Sequence, residues 1–466
     1  VIELRPYQED CVTRIRDALR RIRRVLLASP TASGKTVIFV WLSMAVAAHG
    51  SRILILAHRQ EIVDQISEAL TAFDVAHGII APGYPPSGEV VQVAMVLTLA
   101  NRLHQYTGAF DLVVVDEAHH SVANTWTRIL TAFPNAYVLG ASATPERRDG
   151  RPLKDLYDEL IIGPTVAELV AWGFLSPAVT FGAPVAPDLS GIRTRLGDFE
   201  QTALATRMMD GKLVGNAVEH YRKLSPQLPG LVYCVSVAHS MATAAAFNAA
   251  GYNAIHIDGE TPKAERRKAI ASLAAGRLDL VCNCGLFSEG VDVPLLGLVI
   301  MLRPTQSLSL YLQMVGRALR IGGGKRRALI LDHAGNWERH GLYDFPHQWS
   351  LEGRAKANAE KLVRRCPQCD AVIPIRAAEC PECGHVFVHK LAPPRIPHSA
   401  PGELERVDDD RALLVQTRGG GLPYRRLIQW INGTTDAAER ARRAERARRV
   451  NHYHSGWKRY VLEEAS

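Results

Sequence analysis

Short apolar runs recur along the first third of the chain at 25–28, 53–57, 90–94, 112–115 and 137–140, separated by polar stretches with helical spacing. Apolar runs without alternation read as strands buried on both faces, as in a parallel sheet covered by helices on each side. The pattern returns at 231–235, 254–257, 279–283, 298–302 and 328–332. Between the two blocks lie Pro177, Gly182, Pro184, Pro187, Gly191 and Gly197, which break periodic structure and read as a connector. The pattern predicts two tandem α/β domains, 1–176 and 205–350, joined by a connector at 177–204.

Past about residue 350 the pattern changes. A charged, helix-like stretch leads to a small module at 360–390. Pro393, Pro394, Pro397 and Pro401 stiffen a linker at 391–404. A basic C-terminal region, 405–466, contains an Ala- and Arg-rich helical segment at 437–449. Arg442, Arg446 and Arg449 share one face of it, which suits either a solvated surface or contact with phosphates. Trp457-Lys458-Arg459-Tyr460 interleaves rings and cations, a pattern fit for base stacking or for packing on the body.

Composition narrows the class. The 466 residues are 47% hydrophobic and 22% charged, as in a globular protein with real cores. The longest apolar stretch, 37–48, is too short to span a membrane and reads as a buried helix. No signal-peptide pattern precedes the first strand, so a cytoplasmic location without membrane contact is expected. A formal net charge of +8 favours a polyanionic partner.

The eight cysteines fall into two sets. Cys11, Cys234, Cys282 and Cys284 are scattered on or beside predicted elements, as buried thiols are. Cys366-x-x-Cys369 and Cys380-x-x-Cys383 instead offer four thiolates for tetrahedral Zn²⁺. Paired disulfides are the alternative, at odds with a reducing compartment. Four protein ligands leave no open position, so a structural zinc is expected.

The chemistry of the first block centres on Ser29-Pro30-Thr31-Ala32-Ser33-Gly34-Lys35-Thr36, between an apolar strand and an apolar helix. This is a P-loop layout: backbone N–H groups and a helix N-terminus surround phosphates, Lys35 reaches the outer ones, and Thr36 binds Mg²⁺. Ser29 stands where the strict pattern has its first glycine. The strand 112–115 then ends in Asp116-Glu117-Ala118-His119. An acid there holds Mg²⁺, the role expected of Asp116, and Glu117 can orient and deprotonate the attacking water. The implied reaction is phosphoryl transfer to water.

Further segments follow in order: Arg5-Pro6-Tyr7-Gln8, Ala57-His58-Arg59, Ser142-Ala143-Thr144, Ser288-Glu289-Gly290-Val291-Asp292-Val293-Pro294, and Gln313-Met314-Val315-Gly316-Arg317-Ala318-Leu319-Arg320. The set resembles superfamily 2 helicases and translocases over about residues 1–335. The resemblance implies two RecA-like domains. It implies that Gln8 reads adenine with Arg5 and Tyr7, and that Ser33, Gly34, Lys35 and Thr36 hold phosphate and metal. Gly290 and Asp292 would sense nucleotide and ribose from across the cleft. Gln313, Arg317 and Arg320 would face the γ-phosphate, with Arg320 as the arginine finger. His119, Ser142 and Thr144 would couple nucleotide state to domain movement. His58, Arg59, Thr98 and the segment Cys234-Val235-Ser236 would touch the nucleic-acid backbone.

The Arg-Pro-Tyr-Gln opening, the Asp-Glu-Ala-His box and the Gln-x-x-Gly-Arg-x-x-Arg ending look like the branch that holds restriction-enzyme translocating subunits. Leu331-Asp332-His333-Ala334-Gly335-Asn336 followed by a Cys-x-x-Cys module is similar to the bacterial RadD DNA-repair ATPases. The spacing from Asn336 to the cysteines is shorter than expected there, and a second group of zinc-type cysteines is absent, which leaves a bacterial or a phage-encoded relative open. The resemblance implies a DNA-dependent ATPase with ATP, Mg²⁺ and Zn²⁺. It would act on single-stranded or branched DNA in repair, recombination or replication restart, with a single-strand-binding or other repair protein as a candidate partner. An RNA helicase and an ATP-controlled clamp without unwinding activity are the alternatives.

Overall fold

The computed structural model describes residues 3–106, 108–121, 124–146, 152–183, 187–195, 197–208, 211–225, 228–287, 296–322, 325–353, 363–387, 431, 434 and 436–450. The chain divides into two compact units, Val1–Val388 and His389–Ser466.

In the first unit the early apolar runs build a seven-stranded sheet from β1 (Arg24–Ala28), β2 (Ile53–Ala57), β3 (His77–Ile80), β4 (Val91–Met95), β5 (Leu112–Asp116), β6 (Tyr137–Ser142) and β7 (Glu159–Ile162). All pairings are parallel and the order is β3-β4-β2-β5-β6-β1-β7. The strands alternate their side chains between two cores. Val25, Leu27, Ile53, Ile55 and Val114 pack with helices Pro6–Leu19, Lys35–Ala47 and Gln60–Ala72. Leu26, Leu54, Leu56, Val113 and Val115 pack with Val96–Arg102 and Asn124–Ala132. Burial on both faces explains why these strands read as continuous apolar runs. The two strands that the pattern misses, β3 and β7, are the edges. An edge strand has one neighbour and needs no continuous apolar run.

A second sheet takes β8 (Ala178–Gly182), β11 (Gly230–Tyr233), β12 (Ala254–Ile257), β13 (Leu280–Asn283), β14 (Leu298–Met301), β15 (Ala328–Asp332), β16 (Val363–Arg365) and β17 (Ala371–Pro374). Its order is β12-β13-β11-β14-β15-β8-β17-β16. The strands from β12 to β8 are parallel, and β17 and β16 add antiparallel. The described residues thus hold two parallel sheets flanked by helices, with a four-cysteine module attached to the second. A hairpin of β9 (Thr194–Arg195) and β10 (Asp198–Phe199) precedes helix Gln201–Met208.

Two expected boundaries differ in the structure. The connector at 177–204 contains β8, which pairs along its length with β15. Pro177 sits just before the strand, where its missing N–H costs no ladder bond, and its carbonyl still accepts the Ala328 N–H at 2.8 Å. Helix Gln201–Met208 also runs across the expected border at residue 204. The cysteine module, expected as a separate piece at 360–390, continues the second sheet: Ala371 and Val372 pair with Phe181 and Thr180.

Between β15 and β16 the chain returns to the first domain. The N–H groups of Leu153 and Lys154 donate to the Leu351 carbonyl at 2.8 and 3.1 Å, and Leu351 packs into the first domain's core. In the second unit, helix Ala437–Val450 carries ion pairs from Glu439 to Arg442 and Arg443. The linker at 391–404, Gly290, Asp292 and residues 457–460 lie outside the described residues. No described helix is long and apolar enough to cross a membrane.

Candidate active site

The strand β1 ends at Ala28 and the chain turns through Ser29–Gly34 into helix Lys35–Ala47. Ala32 and Gly34 take φ of 68° and 79°, so the turn uses left-handed backbone twice. At Gly34 a side chain is excluded on two grounds: the dihedral, and Gln8 Nε2 lying 2.6 Å from where a Cβ would stand. Ser29 and Ser33 share a hydroxyl–hydroxyl bond of 2.7 Å inside the turn, which gives the residue in place of the first glycine a bonded role. The Lys35 ammonium donates to the Ser29 and Pro30 carbonyls, both at 3.2 Å. Burial lowers the Lys35 pKa, the Glu117 and Asp116 carboxylates raise it, and Arg317 and Arg320 lower it further. These five charged groups share one electrostatic neighbourhood.

Behind the loop, Tyr7 Oη donates to the Ser33 carbonyl at 2.7 Å. Gln8 Oε1 accepts the Arg5 N–H at 3.0 Å and its amide nitrogen reaches the Ser33 carbonyl at 3.5 Å. Trp172 stacks on Tyr7 at 6.2 Å, and the Arg5 guanidinium lies 4.8 Å from the centre of the Phe174 ring. Trp172 and Phe174 escape sequence reading because they follow a short helix with no motif of its own.

Asp116 closes β5, and its carboxylate accepts the Glu117 N–H at 3.0 Å. Glu117 takes φ 49°, ψ 54°, an uncommon left-handed conformation for this residue type. His119 Nδ1 lies 3.1 Å from Ser142 Oγ and 3.4 Å from Glu117 Oε2. The Ser142 hydroxyl donates to the Thr144 carbonyl at 2.9 Å, so towards His119 it can only accept. Nδ1 therefore carries the proton. His119, Ser142 and Thr144, expected to act together, are buried and form one network that reaches Glu117 at the cleft.

A cleft of about 740 Å³ joins the two domains. Lys35, Thr36, Asp116 and Glu117 line it from the first, and Arg317 and Arg320 from the second. The contact is close at Gly316, where a Cβ would stand 2.6 Å from Thr31 of the loop. Gln313 is 1% exposed, and it is absent from the cleft wall, as are Arg5, Tyr7 and Gln8.

The cleft's far wall carries ion pairs that sequence reading does not find. Glu61 and Asp64, on helix Gln60–Ala72, meet Lys263, Arg266 and Arg267, on helix Lys263–Ala274. The Glu61–Arg266 pair spans 2.6 Å with both side chains half-buried. The only signal in the sequence is spacing: each set shares one helical face.

The four residues expected at nucleic acid all follow carboxyl ends of parallel strands, the edge where α/β folds bind ligands. His58 and Arg59 follow β2, and Arg59 caps helix Gln60–Ala72. Thr98 lies in the helix after β4. Ser236 follows β11 and accepts the His239 N–H at 3.1 Å as a helix cap.

The Cys366, Cys369, Cys380 and Cys383 sulfurs all lie within 4.8 Å of one another, and none is in a disulfide. Cys366–Cys383 and Cys369–Cys380 are both 3.7 Å apart. Four sulfurs at about 2.3 Å from one Zn²⁺ stand roughly 3.8 Å apart in a tetrahedron, so the set fits zinc. Asp370 and Gly384, each directly after a knuckle, take φ of 62° and 72°, and the turns fold the thiolates inward.

Comparison with known proteins agrees with this geometry. Residues 1–147 match the family described as type III restriction enzyme, res subunit, and 217–322 the helicase conserved C-terminal domain. Residues 364–389 match uncharacterised protein family UPF0547. A 51.5 kDa protein of a Lactococcus phage is 33% identical over 395 residues, 84% of this chain and 83% of that protein. The putative ATP-dependent helicase IRC3 of Saccharomyces cerevisiae is 33% identical over 358 residues, 71% of this chain and 51% of its own length. A fragment of a putative HsdR subunit of a type I restriction enzyme from Vibrio vulnificus has the same fold, with a TM-score of 0.57 and 22% identity over 71% of this chain and 64% of that one. Two helicase models matched in tandem, and a relative alike over most of both chains, show that the chain belongs to the superfamily 2 helicases of the Res-subunit-like branch.

Proposed function

We propose that this protein is a DNA translocase that couples ATP hydrolysis to movement along, or remodelling of, single-stranded or branched DNA. One observation carries the reading: Lys35, Asp116 and Glu117 from one domain and Arg317 and Arg320 from the other line a single cleft. Lys35 holds the outer phosphates, and Thr36 and Asp116 hold Mg²⁺, which neutralises phosphate charge. Glu117 positions and deprotonates the attacking water. Arg320, with Arg317 beside it, stabilises charge that builds on the transferring phosphoryl group, typically worth roughly 10³-fold or more in rate.

Because the arginines come from the second domain, hydrolysis requires a closed cleft, and product release lets it open. The His119–Ser142–Thr144 network ties Glu117 to the end of β6 and so links nucleotide state to the first domain's frame. Repeated closure moves His58, Arg59 and Thr98 relative to Ser236, and alternating grip on the backbone becomes translocation. The match to a restriction-enzyme subunit supports DNA as the track. The RadD-like arrangement of Asp332–Asn336 before the cysteine module supports a role in repair, recombination or replication restart, with a single-strand-binding protein as a candidate partner.

Steady-state ATPase activity tests the reading, measured without nucleic acid and with single-stranded, duplex and forked DNA and RNA at two salt concentrations. Strong stimulation by one DNA form, weakened by salt, is the expected result. Lys35→Ala should abolish it with the fold intact. Equal activity with every nucleic acid and with none would overturn the motor reading.

A further inference from the structure

A second cavity, of about 320 Å³, lies where the cysteine module joins the second sheet, and it shares no lining residue with the nucleotide cleft. Phe181 and Leu331 give it an apolar floor, and helix Gly211–Leu224 forms one wall. The module forms the opposite wall through Gln368, Asp370 and Glu382. Its volume is that of a small-molecule site.

His333, directly after β15, lines this cavity at 2% exposure, and its Nδ1 has no hydrogen-bond partner among the described residues. A buried polar atom without a partner is costly and requires an explanation. His220 stacks on His333 with ring centres 5.0 Å apart. Burial foremost, with His220 adding, pushes the His333 imidazole down to about 3, so it is a neutral hydrogen-bonding group.

The charges around the cavity are unevenly spent. Asp370 is paired with Arg365, and Glu382 with Arg327 at 2.6 Å. Arg327 uses one terminal nitrogen in that pair and keeps its other donors. Lys223 has no ionic partner among the described residues. Both carboxylates are neutralised, and the unspent groups are an ammonium, part of a guanidinium and two imidazoles.

We propose that this pocket binds a phosphate group, held by Lys223 and Arg327 with His220 and His333 as hydrogen-bonding partners. Donors from separate walls suit a tetrahedral anion with several acceptor oxygens better than a flat carboxylate. The phosphate belongs either to a nucleic-acid backbone crossing the module or to a free phosphate ester. Phosphate binding itself does not depend on the motor reading; only the backbone source does.

The test uses the full chain with Lys35→Ala, which removes phosphate binding at the P-loop. Inorganic phosphate is titrated by calorimetry and by its effect on melting temperature. Lys223→Glu and His220→Ala, neither buried, are compared in the same background. Phosphate should bind the parent, and each variant should weaken it about tenfold, as loss of one charge-assisted contact does. An oligothymidylate without terminal phosphates separates the sources. A matching loss of DNA affinity, with the salt slope reduced by about one, identifies backbone phosphate. Unchanged DNA affinity identifies a free phosphate ester. No phosphate binding by the parent, or equal binding by the variants, would overturn the proposal. Absence of DNA-stimulated ATPase in the chain with Lys35 intact would instead sink the motor reading and leave the phosphate result standing.

Discussion

Gly316 meets Thr31 across the interdomain cleft so closely that a Cβ on the glycine would stand 2.6 Å from both Cβ and Cγ2 of the threonine. One residue belongs to the phosphate loop and the other ends the helix that leads into Arg317 and Arg320. Their separation therefore sets how near the arginines come to the loop.

Gly316→Ala should hold the two domains apart, because the loop backbone at Thr31 cannot give way without moving Lys35. A displacement of about 1 Å at reacting groups can cost on the order of 10²-fold in rate. The expected result is a fall in kcat of that order, with the urea midpoint of unfolding unchanged because both cores are intact. A variant of full activity would show that the arginines do not need this contact.

The ion pairs on the far wall make a second closing device. Glu61–Arg266 is the better-buried pair, while Arg267 is 65% exposed and adds little. Glu61→Gln should raise the KM for ATP several-fold and leave kcat at saturation nearly unchanged, since about 1 kcal/mol of closure is lost. Exchanging the charges, Glu61→Arg with Arg266→Glu, should restore much of the loss. Failure of the exchange to restore KM would mean that the residues act separately.

Stability should depend on pH through His239. It is 1% exposed, both ring nitrogens lack partners among the described residues, and burial lowers its pKa to about 4. The unfolded chain titrates near 6.5, so between about 6.5 and 4 the unfolded state binds the extra proton and stability falls as pH falls, by up to about 3 kcal/mol. Asp332, raised by burial to about 6, acts with the opposite sign in part of this window. The comparison must therefore be with His239→Leu, whose melting temperature should fall less than the parent's between pH 7.5 and 5. Parallel curves would remove His239 as the cause.

Much of this arrangement is legible in the residues. The strands buried on both faces are, because burial demands unbroken apolar runs such as Leu112–Val115. So is the candidate set Lys35, Asp116, Glu117, Arg317 and Arg320, which the motifs single out and which the fold brings to one cleft. What escapes is pairwise and long-range. β8 hides behind Pro177 and Gly182, since a breaker beside a strand looks the same as one within a loop. Glu61 and Arg266 look like ordinary surface charges until two helices are brought together. Gln313, expected at the γ-phosphate, is buried and is not among the side chains that line the cleft.

Zinc removal tests how far the cysteine module belongs to the second domain. Four thiolates forced together without a metal repel or oxidise, so the knuckles at Asp370 and Gly384 should open. The edge strands are wired to them: Gly182 donates its N–H to the Asp370 carbonyl at 3.1 Å, and Cys366 donates its N–H to the Ala371 carbonyl at 2.8 Å. Loss of zinc should therefore strip hydrogen-exchange protection from 363–387 and from β8 as well, whereas a detached module would leave β8 untouched. The central strands β11, β13 and β14 have neighbours on both sides within the sheet and should keep their protection. Because the second domain lines the cleft through helix Lys263–Ala274, Phe287, Arg317 and Arg320, none of them in the module or in β8, ATPase activity without DNA should survive chelation. Loss of that activity alongside full protection of β8 would mean that zinc acts on the cleft by a route other than the shared sheet.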